Sequence, residues 1–320
     1  MKTVFHIGFF KTATTFLEDN IYSKKSNLNY LNSQNDLEIE KILHFIKNST
    51  SKEFQNNYKE FINLIKNLEW SDNKTNVISA VGITDVLTQK NIHLDLIIIL
   101  KRIKKLFDVK GNKIKILVTY RNQQSYIFSR YAENRDYFIK AKRNWSNFYE
   151  FQRDIDNAFL KKKTKEKSFF ESLKYSIILN KCIKVFGKKN VKFVNYELLN
   201  KNNKLFLRSI FLFMEIKNFS YQNFFPKNIS KKNQKNYYLK GPKIKKLVLR
   251  NLKEKFFLRK FFLRKLKNFL NLCFKIFVFY LSKIFIGNQI NYDEKSIKKI
   301  DLYYKEDNKK LDKMRSLVVR

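Results

Sequence analysis

Residues 3–17 read Thr3-Val-Phe-His-Ile-Gly8-Phe-Phe-Lys11-Thr-Ala-Thr-Thr15-Phe-Leu17. The apolar run up to Gly8 is typical of a short buried strand, and the apolar spacing after it predicts a helix over about 12–22. The loop between them combines one lysine with small and hydroxyl-bearing residues. Where a buried strand passes into a helix, backbone N–H groups and the positive helix end are available to an anionic ligand. The stretch therefore predicts an anion-binding loop after the first strand.

Three further strands are predicted downstream, at residues 77–81, 113–120 and 191–196. Helical patterns separate them, over about 92–107, from 123 to 133, and in a stretch that ends at Gly187. Alternation of strands and helices favours a parallel sheet. We expect an α/β fold: a parallel, doubly wound sheet with a P-loop-like phosphate-binding turn, helices on both faces and a basic helical C-terminal segment.

A second candidate anion site follows the strand at 113–120. Arg121 comes directly after this strand, and Ser129 follows Arg121 by eight residues in the predicted helix. Eight residues are a little over two helical turns, so both side chains can face one phosphate. The first loop is not a Walker A motif, because that motif needs a second glycine directly before its lysine. The pattern therefore disfavours ordinary nucleotide kinase chemistry.

Together the two elements resemble the donor site of sulfotransferases that use 3′-phosphoadenosine 5′-phosphosulfate (PAPS), in particular bacterial carbohydrate sulfotransferases. The phosphosulfate-binding loop of that family usually has the form Pro-Lys-[Ser/Thr]-Gly-Thr-Thr, followed by an aromatic residue and Leu. Here Phe10 stands where Pro is usual and Ala13 where Gly is usual. We expect Ala13 to permit a close approach provided that its φ stays negative. Weaker similarities extend over residues 175–199 and 304–311.

The resemblance implies that PAPS is the co-substrate and that no metal is needed. It assigns donor binding to Lys11, Thr12, Ala13, Thr14, Thr15, Arg121 and Ser129. Lys11 would also act catalytically, because it neutralises charge that develops on the leaving oxygen. The implied reaction moves a sulfuryl group to a hydroxyl or amine of a glycan or glycolipid. The family's general base is a His or a carboxylate near the end of the second strand, where residues 78–82 have no acid. The nearest candidates are Asp85 and His93.

The chain is strongly basic, with 67 Lys and Arg against 28 Asp and Glu and a net charge of +39. Codon bias explains part of this charge, since only 6 Gly and 2 Pro occur. With 44% apolar residues the chain is not a disordered polycation. Residues 243–285 concentrate 13 Lys and Arg with a single acid, Glu254, among large apolar residues. They form either core helices or a helix in a membrane interface. A spanning helix is disfavoured, because a central lysine costs about 2.5–3.5 kcal/mol.

We predict three parts: an α/β domain over 1–242, a basic amphipathic helical segment over 243–290, and a C-terminal helix over 291–320 that packs back on the domain. The short apolar run after Lys2 argues against a signal peptide, so we expect a cytoplasmic protein, with peripheral attachment to an anionic membrane through 243–285 as an option. The alternative function is a catalytically degenerate basic protein that binds an anionic membrane or nucleic acid. Nucleic acid is disfavoured because the aromatic residues lie mostly at core spacing. Two cysteines and three histidines argue against structural zinc.

Overall fold

The structure is a computed structural model. It describes residues 1–31, 36–84, 94–108, 111–130, 169–216, 236–238, 289–291 and 294–318. The chain forms two compact units. The first comprises Met1–Ile127, Ile155–Ser230 and Ile297–Arg320, and the second comprises Phe128–Asp154 and Lys231–Ser296. In the second unit the described residues include two short antiparallel strands, Asn236–Tyr238 and Gln289–Asn291.

The first unit is built on five strands and the helices that connect them. In chain order these elements are β1 (Lys2–His6), α1 (Thr14–Leu17, followed by a π-helical segment Glu18–Tyr22), β2 (Leu28–Leu31), α2 (Leu37–Asn48), α3 (Ser51–Asn56), α4 (Tyr58–Asn67), β3 (Thr75–Ser79), α5 (Leu96–Phe107), β4 (Lys113–Tyr120), α6 (123–130, whose last three residues belong to the second unit), α7 (Tyr175–Phe186), β5 (Val191–Asn195), α8 (Glu197–Lys201), α9 (Asn203–Met214) and α10 (Glu294–Val318).

The five strands form one parallel sheet in the order β2-β3-β1-β4-β5. The chain leaves β1 for the β2 edge and then returns through β3 to β4 and β5 on the other side. This reversal makes the sheet doubly wound, and it places the central strand β1 between β3 and β4. In open α/β sheets, ligands bind outside the carboxyl ends of the strands where the order reverses. The loop after β1 occupies that position.

Helices cover both faces of the sheet, because alternate side chains of each strand point in opposite directions. On one face Val4, Val77 and Leu117 pack in a single cluster with residues of α1 and α9, among them Leu17 and Ile210. On the other face the Phe5 ring meets Phe107 of α5, with centroids 4.7 Å apart, and Tyr120 meets Tyr175 of α7 at 5.1 Å. The predicted fold class, a parallel doubly wound α/β sheet, is confirmed.

Three elements differ from the sequence-based expectation, and one of them is β3, which covers Thr75–Ser79 rather than residues 77–81. The strand β2 was not predicted, since its four residues Leu-Asn-Tyr-Leu alternate weakly and carry no flanking glycine or proline. The first helix begins at Thr14 rather than at residue 12, because residues 11 and 13 adopt left-handed backbone angles that no helix accommodates. The basic segment predicted over 243–290 lies outside the described residues apart from positions 289 and 290. Within the described residues, no helix combines the length and the apolar character needed to cross a bilayer.

Candidate functional site

The loop between β1 and α1 runs along the end of β4. The backbone N–H groups of Ile7 and Phe9 donate to the carbonyls of Leu117 and Thr119, at 2.9 and 3.1 Å. The loop thus extends the β1–β4 pairing before it turns into the helix. Lys11, with a φ of 62°, and Ala13 make the turn of this loop. The turn leaves the Lys11 side chain exposed at the carboxyl end of the sheet.

Ala13 has a φ of 67° and is the N-cap of α1. The condition set for Ala13 to permit a close approach at slight cost, a negative φ, is therefore not met. The tight turn into α1 requires a left-handed residue here, which is the conformation glycine adopts without cost, whereas a non-glycine residue pays about 1–2 kcal/mol. Alanine also offers no side-chain oxygen to the first turn of the helix, and the structure shows no side-chain cap. A side-chain cap is the usual acceptor for the first N–H groups of a helix.

A buried hydrogen-bond chain fixes the loop to the sheet. The Thr12 hydroxyl donates to the Phe9 carbonyl at 2.5 Å and lies 2.8 Å from the Thr119 hydroxyl. Thr119 contacts His6 Nε2 at 2.9 Å, and His6 Nδ1 lies 3.2 Å from the Tyr22 hydroxyl. Each hydroxyl carries one proton. Because Thr12 uses its proton on the carbonyl, Thr119 donates to Thr12. His6 therefore donates from Nε2 to Thr119 and accepts at Nδ1 from Tyr22.

This direction of donation requires a neutral His6. The side chain is fully buried, and burial lowers its pKa from 6.5 to about 3. A protonated imidazole would place a second N–H opposite the Tyr22 hydroxyl and reverse that contact. His6 is thus a structural residue that orients the loop through Thr119.

Two glycines allow close packing around the loop. A Cβ on Gly8 would lie 2.4 Å from Thr119 Oγ1 and 2.8 Å from His6 Nε2, so only glycine fits beside the hydrogen-bond chain. A Cβ on Gly82 would lie 2.7 Å from the Phe10 ring, and its φ of 83° is left-handed. The segment after β3 therefore packs closely on Phe10, which stands where the phosphosulfate-binding loop that this loop resembles usually has proline.

Arg121 follows β4 and is held by neighbouring side chains. Its Nε donates to the Ser125 hydroxyl at 2.8 Å, and its guanidinium lies over the Tyr196 ring, 5.1 Å from the centroid. Glu197 Oε1 accepts from the Asn122 backbone N–H at 3.0 Å and lies 3.3 Å from the Ser125 hydroxyl. Its other oxygen, Oε2, is buried and has no hydrogen-bond partner in the described part of the chain. The Arg121 side chain, which carries the other guanidinium N–H groups, is half-buried.

A buried carboxylate lies on the other side of β1. Glu18, the first residue of the π-helical segment, is 9% exposed and accepts a hydrogen bond of 2.5 Å from Ser79 at the end of β3. Tyr30 of β2 donates to the same carboxylate. Burial, and then the charge of Glu18, raise the pKa of Tyr30. An acid therefore does contact the end of this strand, but it comes from the helix after the loop.

The residues predicted for the site have different positions. Lys11 and Thr15 are exposed, whereas Thr12 and Thr14 are buried, and the Thr12 hydroxyl is used within the loop and its contact with β4. Ser129 is half-buried on α6 and belongs to the second unit. Asp85 and His93 lie outside the described residues.

Sequence reasoning missed two residues of this site. Ser125 is four residues after Arg121, and that helical spacing could have identified it. Glu18 could not be found in this way, because its contact with Ser79 depends on the pairing of β1 with β3.

No protein-family model matches the chain, and no curated protein matches it. Among solved structures, the fold is similar to three sulfotransferases. A sulfotransferase from Alicyclobacillus acidocaldarius is 15% identical over 68% of this chain and 82% of that one, with a TM-score of 0.44. The mouse sulfotransferase SULT7A1 complexed with PAP is 16% identical over 68% of this chain and 60% of that one, with a TM-score of 0.37. The sulfotransferase domain from the curacin biosynthetic pathway is 12% identical over 68% and 74%, with a TM-score of 0.33.

Proposed function

We propose that the protein is a sulfotransferase that takes a sulfuryl group from PAPS. The donor's 5′-phosphosulfate would bind at Lys11, Thr12, Ala13, Thr14 and Thr15, and its 3′-phosphate at Arg121 and Ser129. The observation that carries the proposal is the joining of the loop to β4. Thr12 contacts Thr119 at 2.8 Å, and Arg121 comes only two residues after Thr119. The exposed lysine and the arginine thus lie at adjacent strand ends, as two anionic groups of one small ligand require.

The chemistry of the remaining groups fits a nucleotide of this kind. The first turn of α1 has no side-chain cap, so its N–H groups suit a phosphosulfate oxygen. The guanidinium of Arg121 suits a phosphate, which it can bind through two parallel hydrogen bonds.

In the proposed reaction the protein mainly positions groups and stabilises charge. The bond between sulfur and the bridging oxygen of the 5′-phosphate breaks, and negative charge grows on that oxygen. Lys11 and the N–H groups in the first turn of α1 would stabilise this charge. These groups would already be in position before the reaction starts, because the buried hydrogen-bond chain from His6 to Thr12 fixes the loop. The sequence offered Asp85 and His93 as the base that activates the acceptor, and both lie outside the described residues.

The acceptor proposed is a hydroxyl or amine of a glycan or glycolipid. The sequence supports a lipid-linked acceptor through residues 243–285, whose basic and apolar side chains suit an anionic membrane surface. Under this proposal the enzyme acts in the cytoplasm and binds the inner face of the membrane peripherally.

Turnover of PAPS tests the proposal. The full chain is incubated with sulfur-labelled PAPS and either a soluble amino-sugar oligosaccharide or octyl glucoside in anionic vesicles, and labelled product and released PAP are measured. We expect label in at least one acceptor, and loss of transfer of at least about 100-fold in Lys11→Ala, the range seen when one oxyanion-stabilising group is removed. The matched control is Lys59→Ala, an exposed lysine on α4. PAP binding without transfer to either acceptor would reject the proposed acceptor classes, and absence of PAP binding would reject the donor.

A further inference from the structure

We propose that Glu18 is the catalytic base, the group that takes the proton of the acceptor. This inference rests on the proposed sulfotransfer. It starts from a buried carboxylate that local sequence does not predict: Glu18 lies against the end of β3 and receives hydrogen bonds from the hydroxyls of Ser79 and Tyr30. Glu residues are rarely this buried unless they are paired. Among the described residues no lysine or arginine forms an ion pair with Glu18.

The topology assigns Glu18 to the acceptor side of the sheet. The strand that carries the loop, β1, lies between β3 and β4. Arg121, the proposed 3′-phosphate ligand, follows β4, so the nucleotide extends from the loop toward β4. The side left for an acceptor is the β3 side, and Ser79 and Glu18 lie there.

The local backbone also marks this position. Glu18 is four residues after Thr14, the first residue of α1, and it begins a π-helical segment of five residues. π-Helical turns are rare and occur frequently at functional sites. The loop that would hold the phosphosulfate thus leads through α1 directly into the π-helical segment that begins with Glu18. The positions of the loop and of the proposed base are therefore linked.

The other titratable groups near Glu18 do not compete for the proton. In the described part of the chain, the groups that feel the charge of Glu18 are the phenols of Tyr22 and Tyr30, and burial followed by this charge raises the pKa of both. Both stay protonated at neutral pH. The Asp19 carboxylate, adjacent in the chain, is exposed.

In the step itself the acceptor oxygen attacks sulfur and a new S–O bond forms. The bond from sulfur to the bridging phosphate oxygen breaks, and its electron pair leaves with the nucleotide. The acceptor proton moves to a carboxylate oxygen of Glu18. Ser79 is a positioning residue, since its hydroxyl holds the carboxylate from the end of β3.

The test compares Glu18→Gln with wild type at saturating PAPS, using release of PAP with octyl glucoside or water as acceptor. Removing a general base lowers the rate by about 10²–10⁴-fold, so we expect at least a 100-fold loss in turnover with PAP affinity unchanged within about threefold. Glu69→Gln, at an exposed position, is the matched control and should behave as wild type.

Two further variants keep the test decisive if Glu18→Gln does not fold. Glu18→Asp retains a carboxylate and should keep part of the turnover, and Ser79→Ala should lower turnover while leaving PAP affinity unchanged. Glu18→Gln within threefold of wild type would overturn the proposal, and so would a wild-type enzyme that binds PAP but releases none from PAPS above the buffer rate. Failure of wild type to bind PAP would instead reject the donor site.

Discussion

Ala13 has a left-handed backbone conformation. It stands at a position where the phosphosulfate-binding loops that this loop resembles usually carry glycine. The strain of about 1–2 kcal/mol exceeds the 0.5–1 kcal/mol that glycine loses in the unfolded chain. Ala13→Gly should therefore raise the free energy of unfolding by about 0.5–1 kcal/mol, as measured by urea denaturation. Ala80→Gly is the matched control: its φ is not positive, so the same change should destabilise. Destabilisation by both would mean that the strain at Ala13 is small.

His6 makes stability depend on pH. Its pKa is about 3 in the folded protein and about 6.5 when unfolded, so the unfolded chain binds the extra proton between these values. Stability is complete above pH 6.5 and falls as the pH drops toward 3, by about 1.4 kcal/mol per pH unit well below 6.5. Urea denaturation at pH 7, 6 and 5 should show a steeper fall for wild type than for His6→Gln. Equal slopes would mean that His6 takes up a proton in the folded protein.

At the scale of elements, the connection between the loop and β4 is the contact on which the site depends. Thr12→Val keeps the shape of the side chain and removes its hydroxyl, which leaves the Phe9 carbonyl and the Thr119 hydroxyl without this partner. We expect a loss of about 1–3 kcal/mol in stability, together with weaker PAP binding. Thr15→Val, on the exposed side of the same loop, should change the free energy of unfolding by less than about 0.5 kcal/mol. Similar losses from both would argue against a specific role for the buried chain.

The sequence predicted the elements whose patterns are local. The sequence predicted β4 at the bounds that the structure shows. Its residues from Ile114 onward are all buried, so their side chains are apolar or paired with a polar partner, and this pattern is visible in the local sequence. The strand β2 was missed because Leu28–Leu31 is short and half polar. The contact between Glu18 and Ser79 spans 61 positions in the chain and follows from strand pairing, which no local spacing encodes. The fold class was thus accessible from the sequence, whereas the contact between Glu18 and Ser79 was not.

At the scale of the whole molecule, a net charge of +39 opposes the compact state by self-repulsion. Glu215 is one described acid that relieves this repulsion: it contacts Lys2 and Lys115, and hydrogen bonds from Lys115 and Lys2 lower its pKa to about 2. Raising sodium chloride from about 20 to 300 mM should shift the urea midpoint upward, because salt screens repulsion between exposed charges. An unchanged or lower midpoint would mean that repulsion does not limit stability.

The proposed chemistry uses a small part of this total, at Lys11 and Arg121. We propose that these residues bind one nucleotide by its two ends, so the 3′-phosphate must contribute to affinity through Arg121. Calorimetric titration with PAP and with AMP, which lacks the 3′-phosphate, tests this for wild type, Arg121→Ala and the exposed control Arg208→Ala. A charged hydrogen-bonded contact contributes about 1.5–3 kcal/mol, so wild type and Arg208→Ala should prefer PAP by at least about 10-fold and Arg121→Ala should lose most of that preference. Equal affinity of wild type for PAP and AMP, or a preference that survives in Arg121→Ala, would contradict the account.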